Sequence, residues 1–252
     1  MAVVLEARGL SKSYDDIVII DGVDLVAESG RITVIIGPNG AGKTTLFNCI
    51  SGAEAPDRGT IWHRGRDVTG ASSDALARRG LVRTFQHSSV FPTMTVAENL
   101  LTAAENHRRG SIVRGLFGLP DPSTRRAHQL VERTLDDLGL MALADVRAAV
   151  LPSGTLRLVE LARALCCEPD TLLLDEPASG LDDGETEALH ALLHRMAARE
   201  LALVMIEHDL ALVHDAADVV YVLASGSVVA TGTPGDVLDR SDVRSLLLGR
   251  AT

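Results

Sequence analysis

Residues 37–44 read Gly37-Pro38-Asn39-Gly40-Ala41-Gly42-Lys43-Thr44, a G-x-x-x-x-G-K-[ST] run between the apolar stretch Ile32–Ile36 and a helical pattern from Lys43 to Ser51. A strand entering and a helix leaving is the context this run needs. Its glycines let backbone N–H groups turn inward around phosphate oxygens, and the helix N-terminus adds the positive end of a dipole. Lys43 can reach the β- and γ-phosphates of a nucleotide, and the Thr44 hydroxyl can ligate Mg2+. Lysine is a marked choice here: of 24 basic residues only Lys12 and Lys43 are lysines.

Outward from this loop, Val3–Ala7, Ile17–Val26, Thr60–His63 and Leu81–Phe85 read as strands rich in β-branched residues. The character changes after Gln86. Thr95-x-x-Glu98 is a capping box that opens a helix through about His107, and residues 108–122 read as a Gly- and Pro-containing insert. Ser123–Leu138 and Ser153–Cys167 are helical patterns. Beyond them the apolar runs Thr171–Leu174, Leu201–Ile206 and Val219–Leu223 alternate with helices, the signature of a parallel sheet covered on both faces. The expected architecture is one α/β domain over residues 1–252. It has the P-loop NTPase class, a mostly parallel sheet, N-terminal antiparallel strands, a core of 1–86 and 159–252, and a helical subdomain of 87–158 inserted into it.

The 252 residues are 46% hydrophobic with a formal net charge of −10, enough chain to bury a core and too acidic for a general nucleic-acid binder. Three cysteines, Cys49, Cys166 and Cys167, cannot build a secreted disulfide framework and fit a reducing compartment; they read as buried side chains. Met1 to Leu10 carries Glu6 and Arg8 and lacks the apolar centre of a signal peptide. No apolar run approaches the roughly 18 residues of a membrane span, so a membrane role must come through a partner. Arg108, Arg109, Arg114, Arg125 and Arg126 form a basic island that reads as a solvated helix face.

Leu172-Leu173-Leu174-Asp175-Glu176 is an apolar strand ending in two carboxylates. Beside a phosphate loop, Asp175 would hold Mg2+ through water, and Glu176 would orient or deprotonate the attacking water. Leu151-Pro152-Ser153-Gly154-Thr155 precedes a helix, Gln86 ends the strand before the helical segment, and His208 follows the Leu201–Ile206 strand. Each of these three is weak alone.

The order and spacing of Tyr14, the Gly37–Thr45 loop, Gln86, Leu151–Thr155, Asp175-Glu176, Ser179-Gly180-Leu181-Asp182 and His208 resemble the ATPase cassette of ABC transporters over essentially the whole chain. The resemblance implies MgATP as substrate and cofactor, with Glu176 and His208 catalytic. Tyr14 would stack on adenine, and Gly37, Pro38, Asn39, Gly40, Ala41, Gly42, Lys43, Thr44 and Thr45 would hold the phosphates. Thr44, Gln86 and Asp175 would serve the metal. Leu151, Pro152, Ser153, Gly154 and Thr155 would complete the opposite protomer's site, and Asp182 would couple the two sites. The runs Asn39–Cys49, Val82–His87, Met94–Leu101 and Ile206-Glu207-His208-Asp209 are similar to the LivG-type subunit of branched-chain amino-acid importers. Related importers carry urea, amides or aromatic acids.

That resemblance implies a peripheral protein at the cytoplasmic face of the cell membrane. Its partners would be a sister ATPase in a head-to-tail dimer, two membrane permease subunits and, indirectly, a solute-binding protein, with no nucleic acid. A soluble ABC ATPase acting on DNA or ribosomes is the main alternative; the long heptad arms or paired cassettes of those types are missing from this sequence. A binding-only subunit is opposed by the intact Glu176. One departure stands out. The family segment is usually Leu-Ser-Gly-Gly-Gln, or Leu-(Ser/Pro/Ala)-Tyr-Gly-(Gln/Asp) in this branch, whereas this chain has Pro152, Ser153 and Thr155 in it. The partner's site is therefore expected to be the weaker of the two.

Overall fold

The computed structural model describes residues 2–84, 90–107 and 122–247. Gln86, Arg108, Arg109, Arg114 and the insert up to residue 121 lie outside them. The chain divides into two compact units: residues up to Arg83 with those from Asp170 onward, and Thr84–Pro169.

The first unit contains two sheets. In one, β1 (Val3–Tyr14) lies between β2 (Ile17–Glu28) and β4 (Arg58–His63), all antiparallel, with the short β5 (Arg66–Asp67) at the edge. β1 is longer than the expected Val3–Ala7. It continues through Gly9, whose φ is +58°, by shifting register along β2, and so carries the chain on to Tyr14.

The second sheet has the order β10-β9-β3-β8-β7-β6. Here β3 is Ile32–Ile36, β6 Leu81–Arg83, β7 Thr171–Asp175, β8 Ala202–Ile206, β9 Val219–Ala224 and β10 Ser227–Gly232. Strands β6, β7, β8, β3 and β9 run parallel, and β10 returns antiparallel along β9. Every residue of β3, β7 and β8 is buried, which is why these strands are continuous apolar runs instead of alternating ones. The α/β class with antiparallel N-terminal strands and a mostly parallel sheet is thus observed.

Helix α1 (Lys43–Ile50) buries Leu46, Phe47, Cys49 and Ile50 among Leu5, Leu10, Ile20 and Leu25 of the antiparallel sheet and Leu173, Val204 and Ile206 of the parallel one. At roughly 1.5–3 kcal/mol per fully buried large apolar side chain, this cluster anchors the helix that follows the Gly37–Gly42 loop.

The second unit has its own core. After the first unit's short α2 (Ser73–Ala77), α3 (Val96–His107), α4 (Pro122–Asp137) and α5 (Ser153–Leu165) follow, and they pack Val96, Leu100, Val131, Leu135, Val159 and Ala162 together. The Thr95–Glu98 capping box is formed: Thr95 Oγ1 accepts from the Glu98 N–H at 3.2 Å, and Glu98 Oε2 accepts from the Thr95 N–H at 2.8 Å. The units meet at 83/84 and 169/170, whereas the sequence pattern placed the boundaries at 86/87 and 158/159. The physical reason for the second difference is α5, which runs unbroken through residue 158 and gives Val159, Ala162 and Cys166 to the second core.

After β7 come α6 (Asp183–Ala197), after β8 α7 (Leu210–Ala216), and after β10 α8 (Pro234–Leu238) and α9 (Ser241–Leu247). Among the described residues no helix is long and apolar enough to cross a membrane.

Cys49 and Cys166 are buried, and burial pushes their thiols up to about 11 and about 12 respectively. A thiol reagent at pH 8 is therefore expected to leave both unlabelled in the folded chain and to modify them once it is denatured, as counted by mass. Rapid labelling of either under native conditions would contradict this packing.

Candidate functional site

Three turns that follow strands of the parallel sheet carry most of the first unit's candidate site residues. The first is Gly37–Gly42, between β3 and α1. A Cβ on Gly37 would lie 2.1 Å from the Leu223 carbonyl oxygen, so only glycine fits there. Gly42 has φ +99°, and a Cβ would meet Ile20 Cγ2 at 2.6 Å. Ala41 is buried, its carbonyl accepting from the Gly226 N–H, while Asn39 and Gly40 are exposed. No side chain caps the start of α1, and no acid lies in its first turn, so its dipole faces the loop uncompensated.

Lys43 Nζ donates to the Gly37 carbonyl at 2.7 Å and to the Pro38 carbonyl at 3.0 Å, closing the loop on itself. Burial lowers the pKa of this ammonium, and the charges of Glu176 and Asp175 oppose the shift, so both acids act on the loop electrostatically. Thr44 is exposed and Thr45 half-buried.

The second turn follows β7. Asp175 is buried, and Arg83 Nη2 at the end of β6 donates to its Oδ2 at 2.8 Å. The same guanidinium donates through Nη1 to Asn48 Oδ1 at 2.7 Å and Ser51 Oγ at 3.1 Å, and lies over the Phe47 ring. Glu176 has φ +47°, a left-handed conformation costing a non-glycine residue roughly 1 kcal/mol or more. Its N–H is held by the Ile206 carbonyl at 3.0 Å. Asp182 caps α6 in a reciprocal capping box with Glu185: its Oδ1 accepts from the Glu185 N–H at 2.8 Å.

The third turn follows β8. His208 Nδ1 lies 4.0 Å from Glu176 Oε1, with 64% of the imidazole and 31% of the carboxylate exposed, so both open to solvent at the same place. Asp209 caps α7, its Oδ1 accepting from the N–H groups of Ala211 and Leu212.

Tyr14 ends β1 with 41% of its surface exposed. Its hydroxyl donates to Glu54 Oε2, and Glu54 Oε1 accepts from Asn48 Nδ2 of α1 at 2.8 Å, so the ring is tied to the helix that follows the loop. That bond to Glu54 is the largest cause raising the phenol's pKa.

In the second unit, Leu151–Thr155 runs into α5. Pro152 occupies the cap position, no side-chain cap is made, Ser153 is exposed and Gly154 is buried. Sequence reasoning brought Tyr14, the loop, Asp175, Glu176 and His208 to one unit and missed what orders them: Arg83, Glu54 and the Asp182–Glu185 box. A lone arginine ending the apolar run Leu81-Val82-Arg83 was the available signal for the first, and the Asp-x-x-Glu spacing for the last.

The family profile described as "ABC transporter" matches residues 20–179. The chain belongs to the ABC transporter family. This cassette is 38% identical over 251 residues to the high-affinity branched-chain amino acid transport ATP-binding protein BraF of Pseudomonas aeruginosa, with 98% of each chain covered. It is also 38% identical over 253 residues to the corresponding protein LivG of Escherichia coli K12, again with 98% of each covered. Among solved structures, the cassette is similar to a nucleotide-free ATP-binding cassette from an ABC transporter, with TM-score 0.84, 31% identity and coverage of 97% and 98%. It is likewise similar to the ADP conformation of MJ1267, an ATP-binding cassette of an ABC transporter, with TM-score 0.86, 31% identity and coverage of 99% and 100%.

Thr44 and Asp175 offer a hydroxyl and a carboxylate, the hard oxygen donors suited to Mg2+, and the charge of Asp175 acts on Lys43, the neighbour of Thr44 at the start of α1. The residues present therefore fit that ion.

Arg83 and Asp175 side chains are only 8% and 2% exposed. Arg83→Leu should lower unfolding free energy by about 3–5 kcal/mol, because it leaves a buried carboxylate unpaired. Adding Asp175→Asn should recover most of that loss in a denaturant titration. A single variant as stable as the parent would refute the pairing.

Proposed function

We propose that this cassette hydrolyses MgATP and drives an importer of branched-chain amino acids. The observation that carries the ATPase reading is the Lys43 ammonium, 2.7 Å from the Gly37 carbonyl and in the field of both Asp175 and Glu176. The phosphate loop, the metal-site acid and the candidate base act on one place. The names of the Pseudomonas and Escherichia proteins, matched over nearly the full chain, support the solute class.

On this reading the backbone of Gly37–Thr45 and the Lys43 ammonium hold the phosphates, and the Tyr14 ring stacks on adenine. Mg2+, held by Thr44 and Gln86 and through water by Asp175, would neutralise charge on the β- and γ-phosphate oxygens. Glu176 accepts the proton of the attacking water, and His208 donates to the γ-phosphoryl oxygens.

Leu151–Thr155 completes the site of a sister ATPase in a head-to-tail pair, with its uncapped helix start turned to the other protomer's γ-phosphate. Asp182 couples the two sites. Two permease subunits anchor the pair at the cytoplasmic face of the membrane, through the segment around Gln86, Phe91 and Met94, and a solute-binding protein delivers the solute. Because Pro152 carries no hydroxyl and Thr155 replaces a glutamine, the site completed by this chain is the weaker one, by about 10- to 100-fold.

Lys43→Ala is expected to abolish MgATP binding in a nucleotide titration. Glu176→Gln should keep binding and slow turnover by about 10²–10⁴-fold. In the assembled pair, Glu→Gln in the sister should cost less turnover than Glu176→Gln; equal losses would overturn the asymmetry. Uptake of labelled leucine, isoleucine or valine by vesicles holding the copurified complex tests the solute, and uptake that ignores all three rules it out.

A further inference from the structure

Glu207 is a charged residue that the mechanism above leaves without a task. It follows the last residue of β8 and is 1% exposed. Its own N–H is fixed by the Ile35 carbonyl of β3, the strand that leads into the phosphate loop, at 3.2 Å. The carboxylate takes its hydrogen bonds from two different turns. Oε1 accepts from the Ala178 N–H at 3.1 Å, two residues beyond Glu176, and Oε2 accepts from the His208 N–H at 3.1 Å.

Burial raises the pKa of this carboxyl, and the backbone N–H groups and His208 only oppose that shift. Placing such a group inside is costly unless its lone pairs are well used. What a carboxylate offers at this position, and an apolar side chain does not, is two acceptors that face apart. One grips the turn carrying Glu176 and the other the turn carrying His208. Both turns are irregular backbone, and Glu176 sits in a left-handed conformation that its surroundings must enforce.

We propose that Glu207 is a positioning residue that binds the Glu176 turn and the His208 turn into one frame, keeping the carboxylate and the imidazole together for attack on the γ-phosphoryl group. Buried at 1% exposure, it acts through the two turns and not on the nucleotide directly, and the proposal deepens the ATPase reading, on which it rests. Glutamine at this position keeps one carbonyl acceptor and turns an NH2 toward the other backbone N–H, so one of the two turns loses its hold.

The test is steady-state hydrolysis by the purified chain with its copurifying subunits, comparing the parent with Glu207→Gln, His208→Ala, Glu176→Gln and the Glu207→Gln/His208→Ala double variant. Glu207→Gln should lower kcat by about 10- to 100-fold while KM and nucleotide affinity stay within about threefold, the split expected of lost transition-state geometry. The double variant should be little slower than the worse single one, since both changes act on the same arrangement. Amide exchange in the unmodified protein gives a second reading that needs no variant to fold. The Ala178 and His208 N–H groups should exchange at least about 100-fold more slowly than free peptide.

A Glu207→Gln kcat within twofold of the parent, a loss confined to KM, strictly additive losses, or unprotected amides would each overturn the proposal. No MgATP turnover by the parent would instead overturn the ATPase reading. Turnover abolished by Glu176→Gln but untouched by Glu207→Gln would leave that reading standing and remove only the positioning role of Glu207.

Discussion

A guanidinium and a carboxylate meeting 2.8 Å apart inside an apolar sheet set the terms for the rest of the first unit. Neither charge of the Arg83–Asp175 pair tolerates burial alone, so the ends of β6 and β7 must arrive together, in the parallel register that sets Arg83 beside Leu173. Nη1 of the arginine donates to Asn48 and Ser51 and its flat face lies over Phe47, while its Nε is buried without a hydrogen-bond partner among the described residues. Asn48, Ser51 and Phe47 all sit on or at the end of α1. One ion pair therefore fixes the distance between the helix that follows the glycine loop and the strand that ends in Asp175.

The parallel sheet explains why the three turns gather. β3, β7 and β8 run the same way, so the turns after them emerge at one edge. Each leads into a helix start: α1 after the glycine loop, α6 behind Asp182, α7 behind Asp209. At α6 and α7 an aspartate side chain takes the free N–H groups, whereas α1 has no side-chain cap. That contrast separates the helix ends that are structurally closed from the one open to an anion.

Much of this was legible in the sequence because the chemistry is local. A phosphate loop needs its glycines, lysine and hydroxyl within a few consecutive residues, and a buried strand ending in acids announces itself as Leu172–Glu176. Arg83 and Glu207 were not legible in their roles, because their partners lie 92 and 29 residues away and only the sheet brings them close. β10 was missed because an edge strand with partly exposed positions lacks the continuous apolar run of β3 or β8. α8 had a readable start in Thr233-Pro234, where Thr233 caps and Pro234 occupies the first turn. The long α5 defeated the boundary expectation since helical periodicity does not say which of two cores receives the apolar face.

The left-handed backbone at Glu176 has an evolutionary corollary. Glycine alone adopts such a φ without steric cost, so at this position glutamate costs the folded backbone more than glycine would. Selection for thermal stability alone would drift toward glycine here and so remove the carboxylate proposed as the base. Engineering schemes that rank positions by backbone compatibility would nominate it for replacement together with Asp15, Asp16, Arg64, Glu168, Glu200 and Ser225, which share the left-handed φ, so the dihedral by itself does not tell the proposed base from an ordinary turn residue.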